Sequence, residues 1–334
     1  MSHDLENVRR LGKKLRENLM KCASDPDVDA VHDTRTGTRR LQATLEDLVR
    51  ESAGGDAGEP VRTAATATMR QLKKIRHEAG PVRDLDVHRK LVEKLAKRVL
   101  DPKAPSADDE EPRDETGEVD VPEDLEGGLR PTAVEQQADD LDAWLKHRRS
   151  ELAEGLRADA NELAEKLDKR LEELEHALKT ASARRTRKKP PGVVALDSFA
   201  RLASEMQVLD AGNLHDFRKG AKKARYVAEL AAQGDEQAKQ VGETLKKLQD
   251  EIGDWHDWLV LAEEAHTALG DKGTELTTLL EAERERHFVA AMKMAAKLRG
   301  RLMGEWLAVS GPPAARTGNA ARRRAAGPQH RATS

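Results

Sequence analysis

Two features of the composition and the spacing of the apolar residues predict an all-α protein. Of its 334 residues, 36% are charged and only 2% are aromatic. A β-sandwich or β-barrel would need more β-branched and aromatic residues to cover its strands. Apolar residues recur instead with the 3.6-residue period of an amphipathic helix. The chain is long enough for one large domain or two ordinary ones.

Start and stop signals divide the chain into helices. Asp25 is the predicted N-cap of one helix, and Pro26 is its first helical residue. The Gly-rich residues 52–60 end that helix. The predicted helices are Leu5–Ala23, Pro26–Glu51, Val61–Ala79, Asp84–Leu100 and Thr132–Ala183, the last as one long helix or a broken pair, followed by a second set.

Two segments are predicted to stay outside the packed helices. Residues 101–131 contain twelve acidic residues, three basic residues and five prolines, which predicts a disordered acidic insertion. Residues 311–334 contain five arginines and no acidic residue, which predicts a disordered basic tail. The remainder, within residues 1–310, is expected to form one helical domain with halves 1–183 and 190–310.

The second half of the chain repeats the first. Residues 31–40 (VHDTRTGTRR) align without a gap on residues 214–223 (LHDFRKGAKK). Downstream, residues 72–84 (LKKIRHEAGPVRD) align on residues 245–257 (LKKLQDEIGDWHD), also without a gap. Two matched segments in the same order predict two tandem helical halves of common design.

The first repeated segment of each half is predicted to be a helix with an apolar face and a basic face. Like charges three or four residues apart cost a helix a few tenths of a kcal/mol each, and a bound polyanion would compensate for that cost. A solvated surface is the alternative. The basic faces carry His32, Arg35, Arg39, His215, Arg218, Lys219 and Lys222, and Lys73, Arg76, Arg83, Lys246 and Lys247 add cations if the downstream helices pack beside them.

Three pairs of matched positions in the repeat have structural or functional interpretations. Asp84 and Asp257 are predicted to cap helices that follow the glycines four residues before them. His32 and His215 are candidates for either structural anchors or ligand donors. The glycines within the basic helices indicate close approach of a neighbouring helix or a ligand.

The sequence offers no catalytic constellation. No nucleophile–base pair or phosphate-cradling Gly-rich loop is visible, so we expect no enzymatic activity. The single cysteine, Cys22, and the absence of zinc-ligand spacing predict a reducing, cytoplasmic location without metal or cofactor. No apolar run approaches the length of a membrane span.

A lining of both arginine and lysine suits a ligand with many equivalent oxygens, which describes a phosphate chain. Single-stranded nucleic acid fits less well, because the chain offers few aromatic rings for stacking. A general nucleic-acid binder and a helical interaction scaffold without an anionic ligand both remain alternatives.

These segments resemble the CHAD family, the conserved histidine α-helical domain, whose pattern is a duplicated His-x-x-Arg-x-x-x-basic-basic helix. The resemblance extends from about Leu5 to Leu307 and implies two pseudo-symmetric helical bundles around a central basic groove. It also implies non-enzymatic binding of inorganic polyphosphate and association with polyphosphate granules. Gln42 departs from this pattern, since the second half has Arg225 at the matching position. Position by position, the resemblance implies binding by His32, Arg35, Arg39, Arg40, Arg83, His215, Arg218, Lys222, Lys223 and Arg225.

Overall fold

The computed structural model describes residues 2–51, 58–100, 131–180, 191–229 and 235–310. Within these ranges all regular structure is helical, which confirms the predicted fold class. The helices are α1 (Ser2–Ser24), α2 (Val28–Glu51), α3 (Glu59–Leu100), α4 (Pro131–Thr180), α5 (Pro191–Glu205), α6 (Leu214–Glu229), α7 (Glu236–Leu269) and α8 (Thr274–Ser310). The predicted insertion, apart from Pro131 at the start of α4, and the predicted tail lie outside the described residues.

Corresponding helices of the two halves share most of their neighbours, although α5 also packs against α7 and α1 has no comparable contact with α3 in the described residues. In the first half, α1 and α3 both pack against α2 and α4. In the second half, α5 and α7 both pack against α6 and α8. This order of contacts agrees with the common design inferred from the repeat, and a pseudo-symmetric relation of the halves stays a prediction.

Each half has its own apolar core, and a further core joins the halves. Leu15 lies in the first core, among α1, α2, α3 and α4, and Phe217 lies in the second, among α5, α6, α7 and α8. Trp258 belongs to the joining core, to which α3, α4, α7 and α8 all contribute. The two halves therefore pack together as one unit. None of the described helices is both long enough and apolar enough to cross a bilayer.

The predicted break between residues 79 and 84 is wrong, because α3 continues through Gly80 and Pro81. A proline removes one helical hydrogen bond and disfavours helical geometry in a preceding residue that has a Cβ atom. Gly80 has no Cβ atom, so it can stay helical before the proline. Ala79 and Val82 are fully buried on either side, and this continuous apolar stripe outweighs a proline cost of about 3 kcal/mol.

Three predicted helix starts are also wrong. Asp84 lies inside α3 and Asp257 lies inside α7, so neither residue is an N-cap. The helix predicted to begin at Pro26 begins at Val28, and Asp27 caps it by accepting a hydrogen bond from the Ala30 backbone N–H at 2.7 Å. The region 132–183, for which a single or a broken helix was expected, contains the single helix α4.

One ion pair and one histidine–carboxylate contact, each with a buried member, tie distant helices together. Arg149 of α4 donates from Nε to Asp86 Oδ1 at 2.7 Å, and the Asp86 side chain is only 2% exposed. Arg149 also donates from Nη2 to the backbone carbonyl of Pro26 at 2.8 Å. Between the halves, His88 Nδ1 of α3 lies 2.6 Å from Glu264 Oε2 of α7. The first pair holds the start of α2 against α3 and α4, and the second pair joins the two halves.

Replacing Arg149 by methionine leaves Asp86 buried without its cation, and this should lower the free energy of unfolding by about 3 kcal/mol. The matched control is Lys97→Met, which removes an ion pair between two exposed residues, Lys97 and Glu93, and should cost less than about 1 kcal/mol. Urea denaturation followed by circular dichroism measures both changes. Equal losses in the two variants would contradict the role assigned to the buried pair.

Candidate functional site

In each half, the arginine of the His-x-x-Arg sequence contacts the helix that carries the second repeated segment. Arg35 of α2 donates from Nη1 to the Gly80 carbonyl at 2.7 Å and to Asp84 Oδ1 at 2.6 Å. Arg218 of α6 donates from Nε to the Gln249 carbonyl at 3.0 Å. The aligned segments of each half therefore meet in space, and the two arginines dock the basic helices on α3 and α7.

The repeated glycines allow the close approach of different neighbours. A Cβ atom on Gly253 would lie 2.5 Å from Arg218 Nη2, so this glycine makes room for the guanidinium. A Cβ atom on Gly37 would lie 3.2 Å from Leu15, and one on Gly220 would lie 2.5 Å from Leu202. The glycines of the basic helices thus serve packing against a neighbouring helix.

An interhelical cleft of about 460 Å³ lies between the halves. Its walls come from α1 and α2 on one side and from α6 and α7 on the other, so both repeated basic helices contribute to it. The residues that line the interhelical cleft are Asn7, Arg10, Leu11, Thr36, Arg39, Arg40, Ala43, Thr44, Arg225, Tyr226, Glu229 and Lys246.

The positive charges of α2 and α6 interact beside this cleft. Burial and the charges of four arginines lower the pKa of Lys222 to about 7. These arginines are Arg218, Arg39, Arg225 and Arg35. Burial likewise lowers the pKa values of Arg39 and Arg218. In the described part of the chain, no carboxylate lies within 4.0 Å of Lys222 or Arg39.

Arg39 lines the interhelical cleft, whereas Lys222, Arg35 and Arg218 lie outside its lining. Three other predicted binding residues also line this cleft. Arg40 is exposed at its wall, and Lys246 reaches it from α7. The Arg225 guanidinium lies 5.1 Å from the centre of the Tyr226 ring, within the range of a cation–π contact. Its Nε atom also lies 3.2 Å from Glu229 Oε1. Arg225 is therefore held in place by its own helix.

The remaining predicted cations lie outside the lining of the interhelical cleft. Lys219 pairs with Asp216 at 2.5 Å, and Lys223 and Lys247 are exposed. Lys73 and Arg76 line a separate cavity of about 570 Å³ between α3 and α4. Buried guanidinium nitrogens without a hydrogen-bond partner in the described residues are Nη1 of Arg76, Nη1 of Arg83 and Nε of Arg225, whose 3.2 Å contact with Glu229 is an ion pair without hydrogen-bond geometry.

The two motif histidines occupy different environments. His32 is exposed, and its Nε2 atom lies 3.5 Å from Thr36 Oγ1. The His215 ring lies 4.0 Å from the His256 ring, centre to centre. Burial lowers the pKa of His215, and it lowers the pKa of His256 to about 4. His215 thus packs on a neutral imidazole, whereas His32 is open to solvent.

Sequence reasoning missed the contribution of α1 to the site. Asn7 and Arg10 line the interhelical cleft, yet α1 contains no part of the repeated segments. Only the packing of α1 against α2 brings them there. In the described residues, no group of three or more His, Cys, Asp or Glu side chains is arranged to hold a metal ion.

Fold and site together define an all-helical domain in which repeated His-x-x-Arg helices from two halves meet beside one cleft. The chain belongs to the CHAD domain family, which matches residues 7–266. This match ends within α7, before the Leu307 limit that the sequence resemblance suggested, and so does not include α8. No curated protein shows a significant match to the chain.

Replacing Gly253 by alanine should displace the Arg218 guanidinium and break its hydrogen bond to Gln249. A helical Gly→Ala change otherwise stabilises by about 1 kcal/mol, which is the expected result for the control Gly155→Ala, where a Cβ atom meets nothing within 4 Å. We expect Gly253→Ala to lower the free energy of unfolding by about 1 kcal/mol instead. Urea denaturation compares the two, and equal stabilisation would contradict the close approach of Arg218.

Proposed function

We propose that this protein binds inorganic polyphosphate in the interhelical cleft and does not change it chemically. One observation carries the proposal. Lys222 and Arg39 are half-buried among other cations and have no carboxylate within 4.0 Å in the described part of the chain. Most exposed lysines and arginines of a folded protein can be solvated at little cost, but partly buried like charges destabilise the fold. A polyanion would remove that cost on binding.

The number and type of cations favour a phosphate chain over other anions. Arginine binds two phosphate oxygens through its planar guanidinium, whereas lysine provides a compact charge that adapts to the ligand. Tyr226 is the one aromatic residue that the described part of the chain contributes to the lining, so bases of a nucleic acid would find little to stack on. The resemblance to CHAD domains implies the same ligand.

The proposed mechanism of binding is electrostatic capture. Phosphates lie along the facing cations of α2 and α6 and release their counterions, so the affinity falls as salt concentration rises. The proposal extends to a cytoplasmic location and to association with polyphosphate granules, where long chains would present many such segments at once.

The double variant Arg39→Gln/Lys222→Met should bind polyphosphate about 100-fold more weakly, because two charge-assisted contacts are lost. The same variant should unfold at a higher free energy, by a few tenths of a kcal/mol to about 1 kcal/mol, because it removes like-charge repulsion. Isothermal titration calorimetry and urea denaturation measure the two effects. Both the loss of affinity and the gain in stability are expected if these cations destabilise the free protein and contact the ligand.

The matched control for Arg39→Gln/Lys222→Met is Lys13→Gln/Lys21→Gln, which removes two exposed cations of α1 that do not line the interhelical cleft. This control should leave the affinity unchanged. Unchanged affinity in the Arg39/Lys222 variant would instead support an interaction scaffold. Complete displacement of polyphosphate by RNA at matched charge would support a general polyanion binder.

The affinity for polyphosphate should also depend on pH through Lys222. In the free protein the pKa of Lys222 is about 7, owing to burial and to Arg218, Arg39, Arg225 and Arg35. Bound phosphates favour the charged amine and raise this pKa, so binding takes up a proton above pH 7 and affinity falls as pH rises further. Between pH 7 and 9 we expect a loss of about tenfold.

The variant Lys222→Arg stays charged over this range and should show a flat profile. Calorimetry in two buffers with different ionisation enthalpies measures the proton uptake directly. A flat profile in the unmodified protein, or an equal slope in the arginine variant, would contradict the role of Lys222.

A further inference from the structure

We propose that a second pocket, between α1 and α2, binds the terminal phosphate of the polyphosphate chain. The inference rests on the proposed function, since the interior of the chain would lie in the interhelical cleft. The end pocket has a volume of about 260 Å³ and shares Arg10, Leu11, Thr36 and Arg40 with the lining of that cleft. A chain in the cleft can therefore continue into the end pocket without leaving the cationic surface.

The charges around the end pocket favour an anion. Arg10, Lys14 and Arg40 line it, and Asp33 is the one carboxylate that the described residues add to its lining. In the described residues, Lys14 and Arg40 have no carboxylate within 4.0 Å. Arg10 donates from Nη2 to the neutral side chain of Asn7 at 2.7 Å. All three cations thus remain available for a ligand.

A buried amide at the end pocket also lacks a partner. Asn18 lines the pocket and is only 3% exposed, and its Nδ2 atom has no hydrogen-bond acceptor within the described ranges. A buried amide donor without an acceptor costs free energy, and a phosphate oxygen could satisfy it after rotation of the carboxamide. Together with the Thr36 hydroxyl, Asn18 supplies neutral donors beside the three cations, as in a site built for an oxyanion.

The shape of the end pocket favours a chain end over an internal phosphate. It is smaller and more enclosed than the interhelical cleft. An internal phosphate continues into neighbours on both sides, whereas a terminal phosphate has one neighbour and can end in an enclosed space. A terminal phosphate also carries three peripheral oxygens and a second ionisation, which suits three cations.

The second half keeps only part of this charge pattern. Leu15 of α1 and Leu202 of α5 occupy matching places, against the glycines of α2 and α6. Counting from these leucines, Arg201 keeps the cation of Lys14, but Asp197 stands where α1 has Arg10, and Glu205 stands where it has Asn18. In α6, Lys223 keeps the cation of Arg40. Asp197 accepts a hydrogen bond from Trp306 Nε1 at 2.9 Å. The two added carboxylates would oppose the binding of a phosphate, so we expect the first half alone to recognise one end of the chain.

The test compares two ligands of one defined length. One has free terminal phosphates, and in the other both ends are capped as alkyl phosphoramidates. Calorimetry with the full-length protein should show that the free-ended chain binds about tenfold more tightly. The variant Arg10→Gln/Lys14→Gln should bind both ligands equally. Because Arg10 also lines the interhelical cleft, this variant should bind the capped chain more weakly than the unmodified protein does.

Two further variants separate ligand contact from structural effects. Asn18→Leu removes the amide donor at similar volume and should reduce the preference for free ends to about threefold at an unchanged affinity for the capped chain. Lys13→Gln/Lys21→Gln makes the same charge change on α1 outside the end pocket and should keep the full preference.

The outcomes distinguish this inference from the proposed function. If the unmodified protein binds free-ended and capped chains equally, while Arg39→Gln/Lys222→Met still weakens both, the end pocket is refuted and the cleft stands. If the unmodified protein binds neither chain, both proposals are wrong. If Lys13→Gln/Lys21→Gln abolishes the preference as fully as Arg10→Gln/Lys14→Gln, general charge and not the end pocket is responsible.

Discussion

The docking of one arginine from each basic helix on the backbone of the next helix is the contact on which the site depends. Arg35 reaches the Gly80 carbonyl, and Arg218 reaches the Gln249 carbonyl beside Gly253. Both arginines use part of their hydrogen-bonding capacity on the protein itself, which fixes the angle and depth of α2 and α6. The other cations of these helices therefore meet beside one cleft, where like charges would otherwise move apart.

That arrangement has an energetic consequence for the whole domain. Burial and the charges of four arginines bring the pKa of Lys222 to about 7. The joining core around Trp258 and the buried His88–Glu264 contact hold the halves together despite this repulsion. Apolar packing away from the cleft thus stabilises a charge arrangement that is unfavourable without a ligand.

Sequence reasoning succeeded where a periodic or repeated signal was present. The helical period predicted the fold class. Arg39, Arg40 and Lys246 of the aligned segments line the interhelical cleft, as does Arg225, which the family resemblance named. Their role as ligand contacts stays a prediction. Sequence reasoning failed where local signals compete with packing. The Gly80–Pro81 pair is a strong stop signal, yet the buried stripe of α3 carries the helix through it, and Asp84 therefore lies within a helix as a partner of Arg35.

By itself, the sequence determined that the protein is helical, that its halves share a pattern and that each basic helix has a cationic face. These properties follow from local periodicity, which each segment carries alone. Only the tertiary structure decided that the two faces meet, that α1 adds Arg10 and Asn18 beside them, and that Lys73 faces elsewhere. Such proximity depends on how whole helices pack, and no spacing along one segment encodes the distance between two.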